Sequence, residues 1–399
     1  MSTTLDLPME TVAAATPAPA SIPAQADPPD DTVTLLVGGV ALRGWQSIRV
    51  TRGCERVPAD FAFAMTERFP GAADAVVEPF QPCEVRFGED LVITGYVDRY
   101  APAFSIQSHK VAVSGRSKSQ DLVDCAAVFA GNQLMAHSVL ALAQQLAQAY
   151  GIDVYSLGDP GPIIPQFSAM QGETSWDIIE RVTRFAGLLA YDQPDGRVVL
   201  ARVGSERHAS GFVEGVNVEE ASVSFSADQR FSEYRVLLSS TESLGDLAGA
   251  SGGAANYNRR ASELDERTPR FRLHVIIGEQ TQADPTLSAR RAAWEKARRF
   301  GRSQAVTVLV DGWRDSAGRL WEPNTIAQVR LPSLKLESEG WVISEVTYLL
   351  DSSGTHAQVT LMPPEAFALA PTVLAPFDWQ VKDDPGLRAF LDGAGNSAP

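Results

Sequence analysis

Cysteine is scarce in this sequence of 399 residues. Its three cysteines, Cys54, Cys83 and Cys125, lie far apart, and no two of them form a CxxC pair. A structural zinc site needs a denser group of Cys and His ligands. An odd number of scattered cysteines instead favours reduced, partly buried thiols in a cytoplasmic protein.

Long apolar runs and an N-terminal basic segment are also missing. No stretch approaches the ~18 consecutive apolar residues of a transmembrane helix. Residues 1–20 contain neither Lys nor Arg and no long apolar core, which argues against a secretory signal peptide. Hydrophobic residues make up 44% of the chain, enough for ordinary globular cores. The sequence therefore predicts a folded protein of two or three domains.

Positive charge is in deficit, since the net charge is −15 and the pI is about 4.8. This balance argues against a protein that grips nucleic acid by its phosphates. Much of the acidity lies in the terminal segments: residues 1–31 contribute −5 and residues 363–399 contribute −3, so −7 remains for the residues between them. That excess is typical of many soluble proteins and does not indicate a channel wall that repels DNA.

Motifs of the common enzyme classes are absent as well. The chain has no HExxH zinc motif and no Walker loop. Asp98, Glu173 and Asp177 are candidates for the carboxylate pair of a glycosidase, but capping of a predicted helix explains Glu173 and Asp177 better. We predict no catalytic, cofactor-binding or metal-ligating residue and no enzymatic activity. The histidines, which show no ligand spacing, are His109, His137, His208, His274 and His356.

Both ends of the chain are rich in Ala and Pro. Residues 1–31 cannot bury enough apolar surface to offset the entropy of ordering, so we predict a disordered tail. Residues 363–399 are predicted to be a second, acidic tail rich in Pro and Ala.

The first half of the sequence between these tails predicts two domains of different kinds. Residues 32–115 contain six short runs with period-two alternation, which predicts a first β-barrel domain. Residues 116–205 predict a small α+β domain of two helices and a hairpin. One helix is predicted over 136–150. The other starts at Thr174 and ends at Gly187.

The second half returns to the β pattern. Residues 206–362 are predicted to form a second β-barrel domain. Glycines and small polar residues over 241–262 predict a mobile loop. A helix is predicted over 286–300, with Asp284 as its N-cap and Pro285 at its first position. The predicted fold class is thus mainly β with an α+β insertion.

Three strand blocks recur in the two β-regions in the same order. The opening hairpins, from Ser47 to Met65 and from Ser222 to Leu238, also correspond in outline. The common order favours an internal duplication over two unrelated antiparallel sheets of similar composition. Two similar domains per chain in a three-fold ring would present six similar units, an adaptor between three-fold and six-fold partners. The matched blocks are Glu84–Phe87 with Gln328–Leu331, Leu91–Thr94 with Trp341–Ser344, and Ser108–Val111 with Thr355–Gln358.

Several motifs resemble those of the Mu-type phage tail hub family. The resemblance runs from about Val33 to Phe367, and its most specific parts are the GRSKSQDLVD block and the RAAWE and GWRDSAGRLW pair. The motifs are Val37-Gly38-Gly39, Gly44-Trp45, Thr94–Asp98, Gly115–Asp124, Gly172–Trp176, Arg291–Glu295, and Gly312-Trp313 with Gly318, Leu320 and Trp321.

This resemblance implies two β-barrel domains similar to the tail tube subunit. It implies a homotrimer that forms a pseudo-hexameric ring at the centre of the baseplate of a contractile phage tail. The ring would join the tail tube protein to the central spike protein and contact other baseplate or tape-measure proteins. DNA would pass through its channel without specific binding. The implied location is the virion, after assembly in the host cytoplasm, and the family has no catalytic residues or cofactors to carry over.

The GRSKSQDLVD block has two alternative roles. In the GRSKSQDLVD block, we expect Gly115 to end a strand, Ser117 or Ser119 to cap the following turn, and Asp121 and Asp124 to lie near a helix start. The block is either a connection between domains or a loop at a subunit interface.

The helix predicted over 286–300 carries one tryptophan and two pairs of arginines. Trp294 is expected in the core, with an interface anchor as the alternative. The arginines are expected on a solvated or salt-bridged face, with an acidic partner subunit as the alternative. These arginines are Arg290, Arg291, Arg298 and Arg299.

Two other functions are kept as alternatives. A spike-like hub of the type VI secretion kind would continue into a further barrel and a long β-prism, whereas only about 30 residues follow Phe367. A tail-associated cell-wall hydrolase would require a catalytic site for which the sequence gives no positive support.

Overall fold

The fold is described from a computed structural model. It describes residues 31–66, 77–106, 109–128, 133–168, 170, 172–204, 206–238, 260–278 and 285–367.

Antiparallel strands build the first β-region, where apolar side chains alternate with exposed ones. In β4, for example, Phe61 and Phe63 are buried while their neighbours are partly exposed, as period-two alternation predicts. The strands are β1 (Val33–Val37), β2 (Val40–Leu42), β3 (Ser47–Gly53), β4 (Asp60–Thr66), β5 (Pro82–Phe87), β6 (Asp90–Phe104) and β7 (His109–Ser117).

The α+β region follows directly. Its second and third helices pack together above short strands, and their apolar side chains form a separate core that includes Leu142, Ile179 and Val182. The elements are α1 (Gln120–Asp124), β8 (Gln133–Ser138), α2 (Val139–Gln148), β9 (Val154–Ser156), β10 (Ile163–Ser168), α3 (Ser175–Ala186), β11 (Leu189–Asp192) and β12 (Val198–Ala201).

The second β-region contains a long strand, β20, and a side layer in which one helix packs on a small sheet. In that layer β15 lies between β16 and β17, and α4 packs against it. The elements are β13 (Phe212–Val213), β14 (Val218–Phe225), β15 (Glu233–Leu238), β16 (Arg260–Leu264), β17 (Leu273–Gly278), α4 (Pro285–Arg302), β18 (Gln304–Asp311), β19 (Ile326–Leu331), β20 (Leu336–Asp351) and β21 (Gly354–Met362), with 3-10 turns at Pro332–Leu334 and Pro364–Phe367.

Both β-regions belong to one sheet of 13 strands among the described residues. Its main path runs β14-β18-β21-β20-β3-β4-β7-β6-β5-β1-β2, with β19 and β13 branching from β20. The predicted fold class, mainly β with an α+β insertion, is confirmed.

The two β-regions have the same strand order. The first runs β3-β4-β7-β6-β5-β1 and the second β14-β18-β21-β20-β19-β13. All neighbours pair antiparallel except β13 and β19, which are parallel. This shared order agrees with the duplication inferred from the sequence blocks. The side layer of β15 to β17 and α4 is inserted between β14 and β18 of the second copy.

The ladders correct two of the predicted block matches. A register shift lies between Val97 and Arg99 in β6 and between Ile343 and Glu345 in β20. These equivalent bulges align Asp98 with Ser344, whereas the predicted block match aligned Thr94 with that residue. The same ladders align His109, not Ser108, with Thr355. Short alternating strands share composition, so local similarity did not fix the register.

The predicted match between the two opening hairpins was also wrong in its second strand. The topological counterpart of β4 is β18, because both lie between an edge strand and the strand paired with the long one. The strand that ends at Leu238 is β15, which belongs to the separate three-stranded sheet.

Helix bounds agree with the predictions where capping chemistry is specific. Thr174 and Asp177 form the predicted capping box at the start of α3, and Gly187 ends it with a φ of 70°. The helix predicted over 286–300 is α4, which starts at Pro285, while the predicted N-cap Asp284 lies outside the described residues. The predicted helix over 136–150 starts late, because residues 136–138 belong to β8 and Ser138 caps α2.

Three predicted segment limits differ from the structure. Asp31, which the prediction assigned to the disordered tail, accepts a hydrogen bond from Arg314 Nε at 2.8 Å. Residues 364–367 of the predicted C-terminal tail form a 3-10 turn in which Ala366 and Phe367 are buried. Residues 260–262 of the predicted mobile loop belong to β16. The remainder of both tails and of that loop, 1–30, 368–399 and 241–259, lies outside the described residues.

Gly115 provides a test of how closely β6, β7 and β4 are packed. An added Cβ would overlap the Tyr96 carbonyl oxygen and lie 2.7 Å from the Phe61 ring. We expect G115A to lower the free energy of unfolding by about 2–3 kcal/mol, because overpacking forces the backbone to shift. Urea denaturation measures the loss. In the control G340A, the nearest atoms to the new Cβ are 3.5 Å away, so an equal loss there would contradict this explanation.

Candidate functional site

The two β-regions are joined by a strand seam that lies within one chain. The C-terminal half of β20 pairs antiparallel with β3, from Glu345 opposite Gly53 to Leu350 opposite Ile48. Midway along the seam, the Thr51 and Thr347 hydroxyl oxygens are 3.2 Å apart and share a hydrogen bond. The N-terminal half of β20 instead pairs with β19 of its own region. One strand therefore belongs to both units.

Aromatic rings continue the contact beneath this seam. Phe87 of the first β-region stacks on Trp313 of the second with ring centroids 4.3 Å apart, and meets the Tyr348 ring edge-on at 5.3 Å. All three side chains are buried. The Trp313 Nε1–H donates to the Leu349 carbonyl at 3.1 Å and the His356 carbonyl at 3.0 Å. The two β-regions consequently share one hydrophobic core.

Arg314 adds a polar contact between the same regions. Its guanidinium donates to Asp31 at 2.8 Å, to Asp90 at 2.5 Å and to the Phe87 carbonyl at 3.3 Å. Burial opposes the charge on Arg314, but hydrogen bonds from its side chain to Asp31 and Asp90 raise its pKa overall. The GWRDSAGRLW motif thus supplies, in Trp313 and Arg314, an apolar and a charged contact to the first β-region.

The α+β region is fixed to the first β-region through a buried carboxylate. Asp192, which is 2% exposed, accepts hydrogen bonds from the backbone N–H of Ala59 at 2.8 Å and the Ser119 hydroxyl at 2.9 Å. The Ser117 hydroxyl also donates to it. Ser117 and Ser119 come from the GRSKSQDLVD block, and Asp192 ends β11. Three chain segments therefore meet at one oxygen atom, Oδ2.

This geometry revises the roles predicted for the GRSKSQDLVD block. Gly115 lies within β7 instead of ending a strand, and it is required by the close approach of Tyr96 and Phe61. Ser119 is the N-cap residue of α1, but its side chain makes no capping hydrogen bond.

Arg116 and the acidic residues of the block form exposed contacts. Arg116 donates to Asp98 at 2.6 Å and to Asp124 at 2.8 Å. Asp121 is in the first turn of α1, as predicted, but Asp124 is its last residue.

His208 and Asp315 form a buried pair in the second β-region that the sequence analysis did not find. The Asp315 carboxylate lies 3.0 Å from His208 Nδ1 and accepts from the backbone N–H groups of Ala209, Ala317 and Arg319 at 2.9–3.1 Å. The Glu322 N–H donates to His208 Nε2 at 3.4 Å. A neutral imidazole protonated on Nδ1 satisfies both contacts.

The pKa values of this pair are both lowered. Burial lowers the pKa of His208 more than Asp315 raises it. Burial alone would raise the pKa of Asp315, but hydrogen bonds from His208 and from three backbone N–H groups lower it overall. The neutral histidine and the ionised carboxylate are therefore the forms that the folded chain favours.

Trp294 does not have the core position predicted for it, and the arginines of α4 have two kinds of partner. Trp294 is only half-buried, and the guanidinium groups of Arg291 and Arg298 lie 4.5 and 5.4 Å from its ring centroid. Arg299 forms an ion pair with Glu295 at 2.6 Å. The predicted salt-bridged face is present at Arg299, while Arg291 and Arg298 stack on the tryptophan. The side chain of Arg290 lies outside the described residues.

Each candidate catalytic carboxylate has another partner in the structure. Asp98 pairs with Arg116, Glu173 with Arg181 at 2.9 Å, and Asp177 with the Thr174 N–H at 3.4 Å. Within the described ranges, no group of three or more His, Cys, Asp or Glu residues is arranged to hold a metal ion. No described helix is both long and apolar enough to cross a membrane.

The cysteines are free thiols, as predicted. Cys54 and Cys83 are buried and Cys125 is half-buried. Burial raises the pKa of Cys83 to about 12.

Asp192 should be the most sensitive polar position of the α+β region. D192A leaves two hydroxyls and one N–H without their acceptor in a buried site, so we expect a loss of about 3 kcal/mol in unfolding free energy. Chemical denaturation measures it. The control D195A removes an exposed ion pair with Arg197 and should cost about 1 kcal/mol or less. Equal losses would show that Asp192 does not join the two regions.

Acid should destabilise the chain through His208 and Asp315. Below the unfolded-state pKa of His, about 6.5, the unfolded chain binds a proton at this residue more readily than the folded chain does. The free energy of unfolding therefore decreases as the pH is lowered. Protonation of Asp315, whose folded pKa is lowered, removes further stability at lower pH. We expect H208Q to be less stable at pH 8 but to lose less stability between pH 7 and 5. Urea denaturation at each pH tests this, with H137Q as control. An unchanged pH dependence in H208Q would refute it.

Comparison with known proteins identifies relatives of this chain. Three family models match: the N-terminal domain of Mu phage baseplate assembly protein GpP-like proteins over residues 32–117, the second domain of gp44-like baseplate hub proteins over 119–202, and the fourth domain of the Mu phage protein GpP over 284–370. The matches follow the order of the regions along the chain.

Whole-chain comparisons agree with these domain matches. The chain is 30% identical over 349 residues to baseplate hub protein gp44 of Escherichia phage Mu, covering 84% of this chain and 89% of that protein. A 43 kDa tail protein of prophage MuSo2 from Shewanella oneidensis has 28% identity and a TM-score of 0.74, with 85% and 99% covered.

A tail protein from Neisseria meningitidis has the same fold, with a TM-score of 0.70 at 20% identity and coverage of 86% of this chain and 99% of that one. The identity to the phage Mu hub protein extends over most of both chains. The chain therefore belongs to the Mu-type baseplate hub family of structural phage tail proteins.

Proposed function

We propose that three copies of this chain form a closed ring with six similar β-domains at the centre of the baseplate. One face of the ring meets the tail tube and the other meets the spike. The observation that carries the proposal is the identical strand order of the two β-regions, joined by the β3 and β20 seam. Two equivalent units held side by side in one chain are the repeating element that a six-unit ring made from three chains requires.

The division of the chain follows from the same arrangement. We assign 32–115 and 206–362 to the two ring domains and 116–205 to a peripheral domain. Asp192 holds this domain to the first ring domain and Asn324 holds it to the second. Because the domain occurs once per chain, it distinguishes alternate positions around the ring. A six-fold partner meets the similar ring domains, whereas a three-fold partner meets features that occur once per chain.

In this role the chain acts by binding, without catalysis. DNA passes through the ring without specific contacts, and the ring is assembled in the host cytoplasm before it becomes part of the virion. The contacts of the candidate carboxylates with Arg116, Arg181 and the α3 cap favour this assignment over a cell-wall hydrolase. Peptidoglycan cleavage by the purified chain would support the hydrolase instead.

The stoichiometry is the direct test of the ring. We expect native mass spectrometry of the purified chain to give a species of three times the 42.9 kDa chain mass. Cryo-electron microscopy of that species should show six similar domains around a central opening. A chain that stays monomeric at high concentration, with and without tail tube protein, would contradict the proposal.

A further inference from the structure

Each strand of the in-chain seam has an equivalent in the other β-region, and among the described strands these two equivalents do not pair with each other. The seam uses β3 and the C-terminal half of β20. The equivalent strands in the shared order are β14 and β6. Among the described strands, β14 pairs only with β18, and β6 pairs beyond Val97 only with β7. Each therefore has one backbone edge without the partner that its equivalent possesses.

The ladders fix which residues correspond. The two bulges align Tyr100 with Val346 and Phe104 with Leu350. In the other strand pair, Val50 lies opposite Phe61, which lies opposite Gly115, while Val223 lies opposite Val306, which lies opposite Leu361. Because Gly115 and Leu361 both immediately precede the bulge, Val50 corresponds to Val223.

Exposure differs sharply between the two sets of equivalent residues. In the in-chain seam, Val50, Thr51 and Arg52 are 0–4% exposed. At the corresponding positions of β14, Val223 is half-buried, Ser224 is exposed and Phe225 is 63% exposed. In β6, Phe104 is 88% exposed. Strand edges and large apolar side chains left open in this way are typical of positions that another strand covers.

We propose that β14 of one copy pairs antiparallel with residues 100–104 of β6 in the next copy, in the register of the in-chain seam. This inference rests on the proposed ring and names the contact that closes it. The contact is head-to-tail, because β14 and β6 are different surfaces, and such contacts generate rings when the rotation closes. The opposed pairs are Tyr100 with Phe225, Ala101 with Ser224, Pro102 with Val223, Ala103 with Ser222, and Phe104 with Ala221.

The side chains of the two strands match in this register. Opposed residues of paired strands point to the same face. One face of the seam carries the apolar residues of both strands, with Tyr100 against Phe225 and Phe104 against Ala221. The other face carries small residues, such as Ala101 against Ser224. A shift by one residue would place Phe225 opposite Ala101, and the apolar faces would no longer meet.

The pair Ala101 and Ser224 gives a sharp test, because its in-chain equivalent is the Thr347 and Thr51 pair whose hydroxyls are 3.2 Å apart. We expect the A101C/S224C double variant, in a C125S background, to form covalent dimers and trimers on mild oxidation. Cβ atoms of directly opposed residues are about 4.5–5.5 Å apart, near the span of a disulfide. Both positions are exposed in the single chain, so folding is preserved.

Two further double-cysteine variants serve as controls for this experiment. T51C/T347C should form a disulfide within one chain, detected as the loss of two free thiols without a change in mass on a denaturing gel. A103C/S224C is displaced by two residues on the same face and should cross-link several-fold less. Trimers by native mass spectrometry without an A101C/S224C cross-link would overturn the proposed seam but leave the ring intact. A chain that is monomeric in every variant would overturn the ring itself.

A second variant tests the seam without a covalent bond. F225D places a charge opposite Tyr100 of the next copy and should shift the trimer to monomer at concentrations where the unmodified chain is trimeric. F271D changes a side chain that is 77% exposed but lies outside the seam, and it should leave the trimer unchanged. Equal effects of the two substitutions, or none from F225D, would contradict the assignment.

Discussion

Backbone pairing between β3 and β20 is the constraint on which the arrangement of this chain depends. Without it, the two β-regions would be separate domains on a tether, free to adopt many relative orientations. The paired strands fix direction and register, and the stack of Phe87 on Trp313 fills the space beneath them. Arg314 then spans the same boundary with three hydrogen bonds. The relative position of the two similar units is thereby set inside one chain.

The α+β region is held in a different way. Its own core of α2, α3 and short strands is distinct from the core of the sheet, and a third apolar cluster packs β11 and β12 against both β-regions. Its attachment to the first β-region depends on Asp192, which gathers Ala59, Ser117 and Ser119. Polar contacts of this kind are directional, so they fix orientation where an apolar surface would allow sliding. The chain thus combines a rigid pair of similar units with one oriented addition.

The sequence predicted best where the signal is local. The capping box of Thr174 and Asp177 and the stop at Gly187 gave α3 almost to the residue, because each depends only on neighbours along the chain. Alternation in β4 and β7 predicted their buried faces for the same reason. The order of the repeated strands was also readable, and it agrees with the sheet.

Contacts between residues far apart in the sequence were not predicted. The serines of the GRSKSQDLVD block were interpreted as caps, yet their partner Asp192 is more than seventy residues away. His208 carried no motif, and its role depends on Asp315 and on burial. The register of β6 against β20 became clear only from the positions of the two bulges. In each case the residues that determine the contact or the register are distant in the sequence, and local composition does not identify them.

The fusion of two equivalent units in one polypeptide changes the thermodynamics of closing a ring. Six separate units would each lose translational and rotational freedom on assembly, at several kcal/mol or more for every body added. In a ring of three such chains, every second junction already exists when the chain has folded, and its effective concentration does not fall on dilution. A ring of three such chains brings together three bodies instead of six, so it would close at a lower concentration than six separate units would.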